Sequence, residues 1–138
     1  MRKMALDIGT VRIGIATSDP MGIIAGGYET YTRTKDEQKD LAYLVDLAKN
    51  KGCDALVLGL PLNMDGTEGE KVAEIRDFAE KLSHYTDIKI VFQDERLSTV
   101  SAQKMLIESG VRREKRKNVV DKVAATIILQ SYLDRINK

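Results

Sequence analysis

One stretch, Met4-Ala5-Leu6-Asp7-Ile8-Gly9-Thr10-Val11-Arg12-Ile13-Gly14-Ile15-Ala16, constrains the fold more than any other. It reads as two short strands joined by a tight turn at Gly9 and Thr10. Side chains alternate along a strand, so Met4, Leu6 and Ile8 share one face, and Ala5, Asp7 and Gly9 share the other. An ionised Asp inside a sheet is costly unless something pairs with it. Its neighbours on that face are small, which leaves room for a ligand or a metal. Whatever meets Asp7 must come from later in the chain.

The chain has 138 residues, the usual size of one compact domain, and 43% of them are hydrophobic, enough for a real core. Lys and Arg number 22 against 21 Asp and Glu, a net charge of +1, so any affinity for nucleic acid must be local. The single cysteine, Cys53, opens an apolar run and reads as a small core residue. It excludes an internal disulfide framework or a Cys-based zinc site. The N-terminus lacks the apolar stretch of a signal peptide, and no run is long enough to span a bilayer. These features predict a cytoplasmic protein without membrane contact.

Along the chain, Lys3 to Gly9 and Arg12 to Ser18 read as strands, and Ile23 to Thr32 as a third, with Gly26-Gly27 as a bulge or bend. Thr34-Lys35-Asp36-Glu37 is a capping box before the helical stripe Leu41, Leu44, Val45 and Ala48, which Gly52 ends. Cys53 to Leu60 is almost wholly apolar, as expected of a strand buried on both faces. Thr67 to Glu70 offers a second capping box, before Val72, Ile75, Phe78, Ala79 and Leu82. Ile88 to Gln93 is a fifth strand, running into Asp94-Glu95-Arg96. Ser98 or Thr99 would cap a helix carrying Ala102, Met105, Leu106 and Ile107, stopped by Gly110. Val111 to Lys117 reads as a charged connection, and Asn118 as the cap of a last, heavily buried helix with Asp121 in its first turn. The order β-β-β-α-β-α-β-α-α predicts an α/β fold: a mixed five-stranded sheet, three antiparallel strands then two parallel, with helices on both faces. The strand beginning at Cys53 is expected beside the first strand, and the fifth strand one further out.

On that topology Asp7, the Asp94–Glu95 pair and Asp121 can meet at one rim. Converging carboxylates repel unless cations neutralise them, and an oxygen-only ligand set suits Mg²⁺ or Mn²⁺. Two such ions about 4 Å apart can activate water and stabilise a leaving oxygen in phosphodiester hydrolysis. No His is required, and His84, the only one, falls at a helix end and reads as a surface residue. The plainer alternatives are an ion pair of Asp94 or Glu95 with Arg96, and Asp121 as a favourable charge near a helix N-terminus. Asp-x-Gly-Thr after a first strand also opens the phosphate-binding hairpin of actin-like and sugar-kinase ATPases. That architecture needs two domains, and this length provides one.

Arg112-Arg113-Glu114-Lys115-Arg116-Lys117 places five cations just before Asp121. It is either a solvated segment or a holder of phosphate backbone near the acids. No aromatic residues interleave with it, so base stacking is not supported. In the polar loop Pro61 to Gly69, Asn63 and Thr67 can contact a substrate or shape the turn, and Thr67 fits the second role better.

Together these motifs resemble the YqgF family, also called RuvX-like, of the RNase H-like superfamily. The matching segments are Leu6-Asp7-Ile8-Gly9 with Arg12-Ile13-Gly14, and Val57-Leu58-Gly59-Leu60-Pro61 with Asp65-Gly66-Thr67. Asp94-Glu95-Arg96-Leu97, Lys117, Val120-Asp121 and Ala124-Ala125 complete the set, in order along nearly the whole chain. Ser98-Thr99 and Val11 depart from the family's usual residues, away from the acids. The resemblance implies a single RNase H-like nuclease domain over residues 1–138. Asp7, Glu95 and Asp121 would be its catalytic, metal-binding acids, with Asp94 the alternative to Glu95. It implies processing of the 5′ end of pre-16S rRNA, with ribosomal precursor particles as partners. By analogy to RuvC the substrate would instead be a Holliday junction, cut by a homodimer; a non-catalytic nucleic-acid-binding assembly module is the third reading. Arg12, Asn63, Arg96, Arg112, Arg113, Lys115, Arg116 and Lys117 are the candidate nucleic-acid contacts.

Overall fold

In the computed structural model, residues 1–95 and 113–137 are described, residues 113–119 as helical backbone only. One sheet contains β1 (Arg2–Ile8), β2 (Arg12–Ser18), β3 (Ala25–Thr32), β4 (Cys53–Leu60) and β5 (Lys89–Asp94), in the order β3-β2-β1-β4-β5. β2 pairs antiparallel with β1 and with β3; β4 pairs parallel with β1 and with β5. This is the sheet expected from sequence, with β1 at its centre. Helices α1 (Glu37–Asn50) and α2 (Glu70–Ser83) pack on one face and α3 (Arg113–Ile136) on the other. The helix expected after Ser98 or Thr99 lies outside the described residues. Among those described, no helix is long and apolar enough to cross a membrane.

Alternation makes the two faces unlike. Met4, Leu6, Ile13, Ile15, Leu56 and Leu58 join the stripes of α1 and α2 in a core of large side chains. The other face offers Ala5, Ala16 and Val57, onto which α3 lays Ala125, Ile128, Leu129, Tyr132 and Leu133. Each buried large side chain contributes roughly 1.5–3 kcal/mol, so these two cores outweigh any single charged contact. The small residues also let α3 approach closely. A methyl group on Gly14 would land on the backbone carbonyl of Asp121, 3.0 Å from the Asp121 Cβ.

Several local expectations are corrected. The segment expected as a charged connection belongs in part to α3, which begins at Arg113, before Asn118. Asp121 is therefore well inside the helix and not in its first turn. Arg, Glu and Lys are good helix formers, and charge density alone does not break a helix. Asp36, not Thr34, caps α1, accepting from the Lys39 amide at 3.3 Å. Thr34 is taken by the buried Asp40 carboxylate, which accepts from its hydroxyl (2.9 Å), its amide (3.0 Å) and the Tyr31 hydroxyl (2.7 Å). Gly69 precedes α2 without a side-chain cap; Thr67 is held inside the loop, its hydroxyl donating to Asp65 at 2.6 Å. β3 starts at Ala25, not Ile23, because the Asp19 carboxylate accepts from the Ile23 and Ile24 amides (2.7 and 2.8 Å). The bulge expected at Gly26-Gly27 lies one residue later: both glycines pair, with Thr17 and Ala16, and Tyr28 is the extra residue between Gly27 and Glu29.

Gly14→Ala is expected to destabilise the protein by about 3 kcal/mol in urea unfolding, because the obstructing atoms are helix backbone. Gly26→Ala, whose new Cβ meets nothing within 4 Å, is the control and should cost less than about 1 kcal/mol. Equal losses at both positions would refute the close approach.

Candidate active site

The sheet register positions the acids. Asp7 of β1 lies opposite Gly14 of β2. On its other side β1 runs parallel to β4 with Leu6 beside Leu58, which sets Asp7 beside Gly59. Asp7 thus has a glycine on each flank, on the face covered by α3. The α3 backbone at Asp121 fills the space over Gly14, and Glu95 fills the space over Gly59. A Cβ on Gly59 would stand 2.8 Å from the Glu95 carboxyl carbon and 2.6 Å from Ile128 Cδ1.

Glu95 follows β5 directly, its amide donating to the Leu60 carbonyl at 3.0 Å. Asp94 pairs with Leu60 in the sheet and is exposed. Glu95, not Asp94, turns toward Asp7. The structure therefore brings Asp7 and Glu95 into hydrogen-bond contact and holds Asp121 close enough to act on Asp7 through its charge. Burial pushes the Asp7 carboxyl up, to about 6. The hydrogen bond from Glu95 pulls it down, the Asp121 charge raises it, and the Lys71 charge lowers it, in decreasing order of effect. Asp121 accepts from Arg12 Nε at 2.9 Å. Among the described residues no three acid, His or Cys side chains converge on one point, consistent with Asp121 being turned to Arg12.

In kind, the donor set fits a hard divalent cation, since every candidate ligand is a carboxylate oxygen. A second observation agrees. Gln93 lies beside Gly59 and so shares its face; its side-chain oxygen is buried and accepts no hydrogen bond among the described residues. The water shell of a hydrated cation supplies donors of the kind such an acceptor lacks.

The expected nucleic-acid contacts fall in four places. Arg12 is at the site but paired with Asp121. Asn63 shapes its own loop: its amide group donates to the Thr67 hydroxyl at 3.0 Å, and its backbone N–H to the Thr67 carbonyl at 2.9 Å. Arg113, Lys115, Arg116 and Lys117 ride on the α3 backbone that leads to Asp121. Arg96 and Arg112 lie outside the described residues. Sequence reasoning missed Lys71, exposed in the first turn of α2. The available signal was its place after the C-terminal end of a parallel strand, where α/β sheets bind ligands. A cavity of about 610 Å³ on the α1/α2 face, beneath the β1–β2 turn, also includes Lys71 in its wall.

A family model described as "RuvX: Holliday junction resolvase" matches residues 1–135. Relatives named "Putative pre-16S rRNA nuclease" cover the chain end to end. The Syntrophomonas wolfei protein is 49% identical over 134 residues, 97% of this chain and 94% of its own length. That of Halalkalibacterium halodurans is 47% identical over 136 residues, 98% of this chain and 97% of its own. Among solved structures, T. thermophilus RuvC in complex with Holliday junction substrate aligns with a TM-score of 0.56 at 9% identity, covering 99% of this chain and 96% of that one. The human cytomegalovirus terminase nuclease domain gives 0.51 at 14%, covering 94% and 81%. At these identities the likeness is one of fold, and the fold is RNase H-like.

The raised Asp7 pKa carries a stability consequence. Below pH 3.8 the carboxyl is protonated whether the chain is folded or not. Between 3.8 and about 6 the unfolded chain loses the proton that the folded chain keeps. Stability therefore falls through that window and stays low above it, by up to about 3 kcal/mol without a bound cation. Asp7→Asn should accordingly be more stable than wild type in urea at pH 7.5 with chelator, by about 1–3 kcal/mol, with the gain fading below pH 4. A variant less stable than wild type at pH 7.5 would contradict this account.

Proposed function

The chain belongs to the RuvX family, and from that membership we propose that it is a divalent-metal-dependent endonuclease. Its substrate is structured RNA, the 5′ end of pre-16S rRNA, met in the cytoplasm on ribosomal precursor particles. The observation that carries this is the seating of Glu95 and Asp121 over the two glycines that flank Asp7. Three acids gathered on one sheet face are a poor way to build a core and a good way to hold cations. As a nuclease the protein acts as one domain over residues 1–138.

Asp7, Glu95 and Asp121 would hold the metal, Mg²⁺ or Mn²⁺, as two ions. When bound, such ions activate a water and neutralise the leaving oxygen in phosphodiester hydrolysis. The chain's own residues do the rest. Asp7, on the central strand, fixes the site to the rigid centre of the sheet. Glu95 sits in hydrogen-bond contact with Asp7 and would supply the second carboxylate. Lys71 and the cations of α3 before Asp121 draw a phosphate backbone to the rim, giving affinity without sequence reading. The relatives' name favours RNA. The RuvC-like fold favours a second reading, Holliday junction resolution, which needs two sites and hence a homodimer.

The test is cleavage of a pre-16S rRNA fragment and of a four-way DNA junction, side by side, with Mg²⁺. RNA cut at the 5′ end of the mature sequence is expected. Asp7→Asn should cut at least about 100-fold more slowly, the scale of a lost charge-stabilising group. Equal cleavage by both proteins would remove Asp7 from the chemistry. Symmetric cutting of the junction with inert RNA would transfer the assignment to the second reading.

A further inference from the structure

We propose that Arg12 is an exchangeable counter-ion: it neutralises Asp121 in the cation-free protein and moves to a substrate phosphate when a divalent cation takes Asp121. This inference rests on the reading above, that the acids hold a cation. Asp7 and Glu95 meet through one hydrogen bond. Asp121 has a different solution, the Arg12 guanidinium at 2.9 Å. Without metal, the Asp121 end of the site is thus neutralised by an arginine.

The balance cannot survive cation binding. An ion on the Asp121 carboxylate would sit beside the guanidinium, and like charges at that range repel. The outcome turns on which cation is held more weakly, and that is Arg12. Its side chain is 45% exposed and that of Asp121 22%. Such pairs at the solvent edge contribute little, because water screens them and a long side chain loses freedom in them. A divalent ion carries twice the charge and restrains no chain.

Arg12 leads β2 directly after the turn that begins at Gly9. Once released, its side chain remains tethered at the rim that substrate must approach. Its planar fork of donors matches a phosphate better than a lysine would. The exchange makes phosphate binding at Arg12 conditional on a loaded site.

A rival role predicts the opposite sign. If Arg12 served to aim Asp121 at the metal, removing it would weaken metal binding; if Arg12 competes with the metal, removing it strengthens binding. The experiment is calorimetric titration of Mn²⁺ into the full chain without nucleic acid, for wild type, Arg12→Gln and Arg12→Lys. Circular dichroism checks the fold of each. Arg12→Gln should bind Mn²⁺ about two- to fivefold more tightly, as expected for release of one exposed ion pair. Arg12→Lys should fall between it and wild type, and stands in should the Gln variant fail to fold. In Ca²⁺, fluorescence anisotropy of a labelled RNA hairpin should show Arg12→Gln binding several-fold more weakly, with a salt slope lower by about one phosphate contact. Equal or weaker Mn²⁺ affinity in both variants overturns the exchange while leaving the nuclease reading intact. No Mn²⁺ binding by wild type would overturn both.

Discussion

The arrangement depends on how closely α3 can lie on the sheet. At Gly14 its backbone occupies the volume where any other residue would carry a Cβ. Ala5 and Ala16 continue that low ground along the same face, and Ile128, Leu129, Tyr132 and Leu133 press into it. Helix and sheet are therefore pinned at the height that seats Asp121 over Gly14, close enough to act on Asp7 through its charge. On the other flank Gly59 admits Glu95 in the same manner. Larger residues at either position would leave the fold's layers intact in outline but hold the acids apart. The site is set by where side chains are missing as much as by the carboxylates themselves.

That dependence explains what the sequence could disclose. The strand order was legible because the meander leaves one edge of β1 free, and the apolar β4 had to pair somewhere buried. The stripes of α1 and α2 were legible because spacing alone identifies a buried face, and Leu41, Leu44, Val72, Ile75 and Leu82 are all in the core. Asp7 stood out as a charge in an apolar alternation. The choice between Asp94 and Glu95 was not legible, since it needs the end of β5 and its register against Gly59. Nor was the work of the glycines. Gly59 inside Val57-Leu58-Gly59-Leu60 looks like any small residue in a buried strand until another chain segment is seen above it. The same holds for Gly14, whose missing Cβ gives its room to the α3 backbone.

Helix ends were misread for a common reason. Several polar groups compete for the same amides, and sequence spacing does not rank them. Thr34 had the pattern of a cap, yet Asp40, buried one turn into α1, takes its hydroxyl and amide. Thr67 likewise binds Asp65 within its own loop. At Arg113 to Lys117 the density of charge suggested a solvated link, whereas the helix propensity of those residues was the better guide. The consequence reaches the site. Asp121 is fixed by packing in the body of α3 and does not depend on a fraying terminus.

Electrostatically, the acid face works against the fold. Asp7 is held in a place that favours its protonated form, and Asp121 adds repulsion. A core residue at position 7 would stabilise the protein more. What tolerates the cost is the asymmetry of the sheet. Its large-residue face, packed on α1 and α2, supplies most of the cohesion and contains no part of the acid cluster. The small-residue face is then free to hold a strained charge pattern. Cations also come from two sources that differ in kind. Arg12 pairs with Asp121 and Lys71 acts on Asp7 through its charge, both as flexible side chains, whereas a metal would have to be held by the rigid centre of the sheet. Flexible charges can leave when a metal arrives, and rigid carboxylates cannot. A site assembled this way can remain folded and nearly neutral before loading and become cationic afterwards, the sign that a phosphodiester requires.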